Sequence, residues 1–302
     1  MKKKVLITGA AGFLGTYIVR EMFENGWDVL ALDARPKKAR HEFGISYKSL
    51  VLPNGEAADV IASFAPDTCV HCAGRASVGE SVKNPQADFN ASVLVTAALL
   101  DALADVASGC RTVFLSSAAV YGQPESLPVT EDAKTRPLSP YGYHKRICEL
   151  LMEQASRLRG VPTATLRIFS AYGPGLKRQV LWEIATQFAE NGKAILKGSG
   201  QESRDFIHAA DVAKAVRLVV EKAPCEGESY NLGTEQETSI RDAAKQLGGF
   251  FGASEAIAFE GKQMPENPER WVADCARIRK LGFLPEISLE KGLRGLAEWV
   301  SK

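Results

Sequence analysis

The stretch KVLITGAAGFLGTYIVREMF, residues 4–23, decides the fold class. Residues 4–8 are a mostly apolar run with β-branched members, which suits a buried strand. Gly9, Gly12 and Gly15 follow in G-x-x-G-x-x-G spacing, and an amphipathic helical pattern begins at once. Glycines at the entry to a helix permit a tight turn and close backbone approach. A diphosphate can then rest on the N–H groups of Phe13 and Leu14, where the helix dipole also favours an anion. The alternative is a glycine-rich turn that serves packing alone. Position at the head of a strand–helix unit favours a dinucleotide site.

Asp33 ends the second apolar run, WDVLALD, about 20 residues beyond the loop. A carboxylate there accepts from both ribose hydroxyls of NAD and repels the 2′-phosphate of NADP, so NAD is the expected cofactor. Arg35, Lys37 and Lys38 follow it and would suit a 2′-phosphate if Asp33 turned away; a solvated charged loop is the alternative.

Further apolar runs, DTCVHCAG, RTVFLSS and PTATLRIFSAYG, alternate with amphipathic stretches such as YGYHKRICELLMEQASRLRG. This rhythm predicts an α/β fold: a Rossmann-type doubly wound parallel sheet with helices on both faces and ligands at the carboxyl ends of its strands. Past about residue 170 the rhythm loosens. The expected division is a dinucleotide-binding domain over 1–168, a return segment near 205–232, and a smaller, mainly substrate-binding lobe over 169–302.

The chain has 302 residues, and 37 Lys and Arg balance 36 Asp and Glu, so no charge excess draws it to nucleic acid or an anionic membrane. The opening MKKKVLITG has the basic-then-apolar order of a secretion signal, but glycines interrupt the run and no cleavage site follows in register. With no later run of about 20 continuous apolar residues, a cytoplasmic protein is expected. Cys69 and Cys72 form a C-x-x-C inside an apolar run, which reads as strand cysteines. Four histidines with no pairing at ligand spacing predict no metal site.

SPYGYHK, residues 139–145, sets two tyrosines beside one lysine. On a helix, positions i and i+4 share a face while i and i+2 point nearly apart, so Tyr141 meets Lys145 and Tyr143 does not. An adjacent ammonium favours the phenolate, which makes the pair a general acid/base for a hydroxyl or ketone. Ser116 and Ser117, at the end of a strand in FLSSAAVYG, are candidates to orient the reacting oxygen.

Taken together and in order, the glycine loop, SSAAVYG, SPYGYHK, LRIFSAYGPG and RDFIHAADVAKA resemble the extended short-chain dehydrogenase/reductase family, in its nucleotide-sugar epimerase/dehydratase branch. The resemblance implies Ser117 as the catalytic hydroxyl, Tyr141 as base, and Lys145 on the nicotinamide ribose. It implies further cofactor contacts at Cys72, Ala73, Gly74, Asn90 and Ser116. Ser77 in ASVGESVKNP matches a sugar-side loop, and Ser170 and Arg204 match positions beside the diphosphate or sugar. Lys177 and Arg178, cations at the start of a helix, invite a bound anion or form a solvated helix start. Near the tail motif ERWVAD, Arg270 or Lys262 is the expected diphosphate ligand.

Relatives that eliminate water or carbon dioxide carry an acid just after the catalytic hydroxyl, where this chain has Ala118 and Ala119. The implied activity is therefore NAD-dependent 4-epimerisation of a nucleotide-diphosphate sugar, a UDP-hexose first. A reductase of 4-keto nucleotide sugars would use the same residues. A regulatory dinucleotide sensor would not need the tyrosine–lysine spacing. The chain departs from the branch at Ser170, where an asparagine is usual, and in LVLPNGE, which lacks the expected adenine-binding acid. The resemblance also implies a homodimer through a four-helix interface, with Leu99, Leu103 and Leu150 as candidate contacts that could equally face the sheet, and a place in polysaccharide synthesis.

Overall fold

A computed structural model describes residues 2–36, 44–261 and 268–302; Lys37, Lys38 and Lys262 lie outside them. The apolar runs of the first half become strands β1 Lys4–Thr8, β2 Asp28–Asp33, β4 Thr68–His71, β5 Arg111–Ser117 and β6 Thr163–Ile168, with β3 Ser46–Ser49 beside β2. Later come β7 Ser170–Tyr172, β8 Ala194–Leu196, β9 Ser203–His208, β10 Glu226–Leu232, β11 Glu237–Ser239 and β12 Ile257–Phe259. Seven strands form one parallel sheet in the order β10-β6-β5-β4-β1-β2-β3. The order reverses direction at β1, between β4 and β2, which opens a crevice at the carboxyl ends of these strands.

Alternation along each strand feeds two cores. Val5, Ile7, Val29, Ala31, Val113 and Leu115 pack on one face under the helices Phe13–Glu24 and Ala209–Lys222. Leu6, Leu30, Cys69 and Phe114 pack on the other, under Ala57–Phe64, Val95–Val106 and Pro140–Arg159. Side chains on successive strand residues point to opposite faces, so a sheet covered on both sides needs apolar residues at nearly every position.

A third core, built on Tyr172, Ile184, Phe188, Leu247 and Leu293, organises the smaller sheets β11-β9-β7 and β12-β8. Within the expected return segment, only Glu226–Leu232 pairs with the main sheet. Residues 205–208 belong to β9, a mostly buried strand whose two hydrogen-bonding edges are taken by β7 and β11 of the smaller sheet. Leu99 and Leu103 are buried against the main sheet, whereas Leu150 is exposed. The helical run Pro85–Val106 is long and apolar enough to cross a membrane, yet it carries these buried leucines.

Candidate active site

The glycine loop is shaped by its neighbours. Gly9 has φ +65°, and a Cβ there would lie 2.7 Å from the Ala73 nitrogen; a Cβ on Gly15 would lie 2.2 Å from the Gly9 carbonyl oxygen. Both positions exclude any larger residue, Gly9 by conformation as well as space. The helix Phe13–Glu24 starts at Gly12, which has no side chain to cap its first N–H groups. Residues 72–74 lie directly over the loop: the Cys72 N–H donates to the Thr8 carbonyl at 3.1 Å and the Ala73 N–H to Thr8 Oγ1 at 3.3 Å.

Beneath them, His71 is buried between Thr8 Oγ1 at 2.7 Å and Thr96 Oγ1 at 3.0 Å. Thr96 donates to the Ser92 carbonyl and so accepts from His71 Nε2, which leaves Nδ1 to accept from Thr8. Burial, with the charge of Lys145 adding to it, pushes the imidazole pKa down to about 3. A neutral histidine thus ties β1 and β4 to the helix behind the crevice.

Asp33 stands at the end of β2, where Oδ2 accepts from the Ala11 N–H at 2.9 Å and Oδ1 from the Arg35 N–H at 2.9 Å. The Arg35 guanidinium grips both oxygens, at 3.0 and 3.2 Å. Burial alone would raise this carboxyl, but the hydrogen bonds from Arg35 and Ala11 hold it below the usual carboxylate range. The carboxylate is formed and aimed at the loop.

Asn90, in contrast, lies exposed on its helix, its amide oxygen accepting from Gln86 at 2.9 Å. A π-turn spans Asn90–Leu94. Ser92 takes the inner position: it is buried, its Oγ has no partner among the described residues, and it lies 3.4 Å from a Cβ built on Gly74.

The helix Pro140–Arg159 carries the other candidates. Ser139 caps it by accepting from the Gly142 N–H at 3.2 Å, Pro140 occupies its first turn, and Gly160 ends it with φ 68°. Lys145 is buried and Tyr143 is 57% exposed, so the expected faces are the observed ones. Lys145 Nζ donates to the Leu115 carbonyl at 2.8 Å and lies 6.0 Å from the centre of the Tyr141 ring. Gly142 packs against the Ala119 carbonyl, 2.6 Å from a Cβ built on it. The helix therefore touches β5 and its following turn on both sides of Ser117. Ser117 Oγ accepts from the Ala119 N–H at 3.2 Å and keeps its own proton to donate. Ser81, which no motif singled out, fixes the helix start from the sugar-side loop: its Oγ accepts from the Tyr141 N–H at 3.0 Å. Ser77 caps the short helix that carries it.

Ser116 does not face the crevice. As the strand neighbour of Ser117 it points the other way, and its hydroxyl donates to buried Glu149 at 2.6 Å.

On the smaller lobe, Arg204 lies with its guanidinium 5.5 Å from the centre of the Trp271 ring. Nη1 donates to the Ser203 carbonyl at 2.7 Å, and no carboxylate among the described residues pairs with it. Burial pushes its pKa down to about 10, so it stays charged at neutral pH. Trp271 in turn donates from Nε1 to the Gly122 carbonyl at 3.1 Å, beside the Ser117 turn. Arg270 is held bidentately by Glu237, at 2.6 Å for each bond, and this pairing, with Ser203 adding to it, pushes the Glu237 carboxyl down to about 2. Lys177 lies 5.9 Å from the Trp299 ring centre, and Arg178 is exposed at the start of the helix Val180–Asn191. Ser170 opens β7, half-buried. The two lobes meet at the crevice, where the Tyr17 hydroxyl donates to the Pro174 carbonyl at 2.8 Å.

Of the C-x-x-C cysteines, Cys69 is a fully buried strand residue of β4 as expected, whereas Cys72 lies just beyond the strand and is half-buried; burial raises both thiols, Cys72 to about 12.

The model of a protein family described as the NAD dependent epimerase/dehydratase family matches residues 5–233. A UDP-glucose 4-epimerase of Lactobacillus helveticus is 29% identical, with 94% of this chain and 92% of that protein covered. The structure of a UDP-glucose 4-epimerase from Thermotoga maritima with UDP-glucose superposes with a TM-score of 0.91 at 25% identity, covering 98% of each chain. That of a UDP-glucose 4-epimerase from Thermus thermophilus in complex with NAD gives 0.90 at 26% identity, again over 98% of each.

Proposed function

Because the chain belongs to the NAD dependent epimerase/dehydratase family, we propose that it is an NAD-dependent UDP-sugar epimerase that inverts C4 of a UDP-hexose. The observation that carries the reading is the placement of Tyr141 and Lys145 on one helix face, with that helix gripping β5 on both sides of Ser117. Relatives of this overall length bearing that activity's name support it.

The crevice fits NAD. The Gly9 and Gly15 positions admit no Cβ, the helix start they form has no side-chain cap, and an ionised Asp33 borders it. Phe13 and Leu14 would offer N–H groups to the diphosphate, Asp33 would take the adenosine ribose, and Lys145 the nicotinamide ribose. When bound, NAD supplies a hydride acceptor that can give the hydride back.

The chain's own groups manage the proton. Ser117 donates to the sugar oxygen and orients it. Tyr141 is the base that would take the C4 hydroxyl proton as the C4 hydrogen departs as hydride. Lys145, with no carboxylate partner among the described residues, lies on the same helix face, its ammonium 6.0 Å from the centre of the Tyr141 ring. After the 4-keto sugar has turned over, Tyr141 returns the proton and C4 emerges inverted. Ala118 and Ala119 leave no acid or base just after Ser117, which argues against an elimination that uses those positions. Arg204 is the guanidinium available to the substrate diphosphate. The test is proton NMR of the purified protein with UDP-, GDP- and dTDP-hexoses and catalytic NAD. A C4-epimeric sugar without net NADH is expected; unchanged hexoses, with NAD(P)H consumed only when 4-keto sugars are added, would replace the epimerase by a reductase.

Cofactor choice is separately testable. Asp33→Ala should weaken NAD about tenfold or more while NADP changes far less, because hydrogen bonds to a charged acceptor contribute about 1.5–3 kcal/mol. Titration of intrinsic fluorescence with each dinucleotide measures this. Equal losses for both would show that Asp33 is not the ribose anchor.

A homodimer through the outer face of the catalytic helix completes the reading. Tyr143, Ile147 and Leu150 are 57%, 36% and 48% exposed at spacings that put them on one side, and Leu94 on the neighbouring helix is 42% exposed. Leu150→Glu should convert the sedimenting species from dimer to monomer; a variant that sediments like wild type would place the interface elsewhere. Six unpaired thiols suit a reducing cytoplasm, where this protein is expected to work.

A further inference from the structure

Behind the catalytic helix lies a buried polar cluster that the mechanism does not use. Glu149 is 4% exposed and accepts from Arg167 in a fork, Nε at 3.0 Å and Nη2 at 2.9 Å. Arg146 donates to the same carboxylate at 3.0 Å. Arg167 Nη1 also donates to the Tyr121 hydroxyl and the Glu131 carbonyl, each at 2.9 Å, and Tyr121 donates to Asn231 Oδ1 at 2.6 Å. The members therefore connect β5, its following turn, β6, β10, the catalytic helix and the loop that carries Glu131.

The cluster meets the reacting groups at one point. Two helix residues one turn apart grip two consecutive residues of β5: Lys145 holds the Leu115 carbonyl, and Glu149 holds the Ser116 hydroxyl. Tyr141 lies one turn earlier on the same face, and Ser117 is the next strand residue. A helix latched at two successive turns can neither slide nor rotate against the strand. We propose that Glu149, anchored by Arg167 and latched to Ser116, is a positioning residue that sets the register between Tyr141 and Ser117 and so governs the rate of proton transfer. Apolar packing would fill the same space without fixing direction, since burial is non-directional, whereas a bidentate carboxylate with a third donor admits one orientation.

This inference rests on the epimerase reading, and the assay separates the two. Wild type, Tyr141→Phe, Ser116→Ala and Ser116→Thr are compared for interconversion of UDP-glucose and UDP-galactose, with KM, bound NAD and Tm recorded for each. Ser116→Ala removes only the latch. Its kcat should fall about 10- to 100-fold with KM and bound NAD unchanged, because a misplacement near 1 Å can cost about 100-fold, and Ser116→Thr should recover most of the loss. A Ser116→Ala enzyme as fast as wild type, or one whose kcat, KM and Tm decline together with no recovery in Ser116→Thr, would overturn the proposal. If Ser116→Ala does not fold, Glu149→Gln is read by the same kcat-against-KM criterion; if neither folds, the cluster is a folding element and the positioning role is withdrawn. Absence of interconversion by wild type, or an active Tyr141→Phe, would instead remove the epimerase reading on which the proposal stands.

Discussion

Tyr141→Phe should lower the rate of sugar interconversion by about 10²- to 10⁴-fold, the usual worth of general acid–base catalysis, with the affinities for NAD and UDP-hexose nearly unchanged. The substitution removes one oxygen. The ring remains in place, since its backbone N–H is still held by Ser81 and Lys145 is still held by Leu115. Tyr143→Phe is the internal control. Its ring is 57% exposed on the opposite side, so turnover should stay within about twofold of wild type. Steady-state assays of both variants decide the matter. Comparable losses would mean that the two helix faces do not divide the work, and more than a tenth of wild-type turnover in Tyr141→Phe would reassign the base.

The second large effect is expected at Arg204. Here a half-buried guanidinium has two hydrogen bonds to main-chain carbonyls and an aromatic face, yet no carboxylate partner among the described residues. Burying a cation without its counter-charge is costly, and an incoming diphosphate would supply one. Arg204→Met keeps much of the side chain's length and its contact with Trp271 but loses the charge. UDP affinity should drop about 10- to 150-fold, corresponding to roughly 1.5–3 kcal/mol for charge-assisted hydrogen bonds, while uridine affinity changes little. Calorimetric titration with UDP and with uridine reads the difference. A parallel loss for both ligands would mean that Arg204 shapes the lobe and does not bind phosphate.

The main sheet was legible because its strands are covered on both faces and so read as unbroken apolar runs. β3, with the sequence SYKS, carries no such signal: it is a half-exposed edge strand defined by its pairing with β2. The smaller sheets were harder still. β7, β8, β11 and β12 have three residues each, too few to show a period, so β9 could not be told from a returning strand.

At the site, helical spacing separated Tyr141 from Tyr143 without any further information. Strand alternation could have separated Ser116 from Ser117 in the same way, had the direction of either been known. Asn90 was singled out by its match to an asparagine beside the cofactor, and spacing alone could show neither the π-turn that begins there nor the buried Ser92 two residues on. Glu149 and Arg167 gave no warning at all. One sits in an amphipathic helix and the other in a strand, and their pairing across 18 residues exists only once those elements pack.

The two adjacent serines of β5 carry a lesson about insertions and deletions. They have identical side chains, so any difference between them is one of address. β5 is an interior strand, paired residue for residue with β4 and β6. A single-residue deletion before Ser116 would either drag the strand one step, turning Ser117 toward Glu149 and emptying the crevice of its hydroxyl, or break two ladders to avoid it. Point substitutions elsewhere in this strand trade volume against volume; a change of length trades the inside for the outside. Length variation in this chain therefore belongs in its loops, and in β5 it would cost the site its hydroxyl as well as the sheet its register.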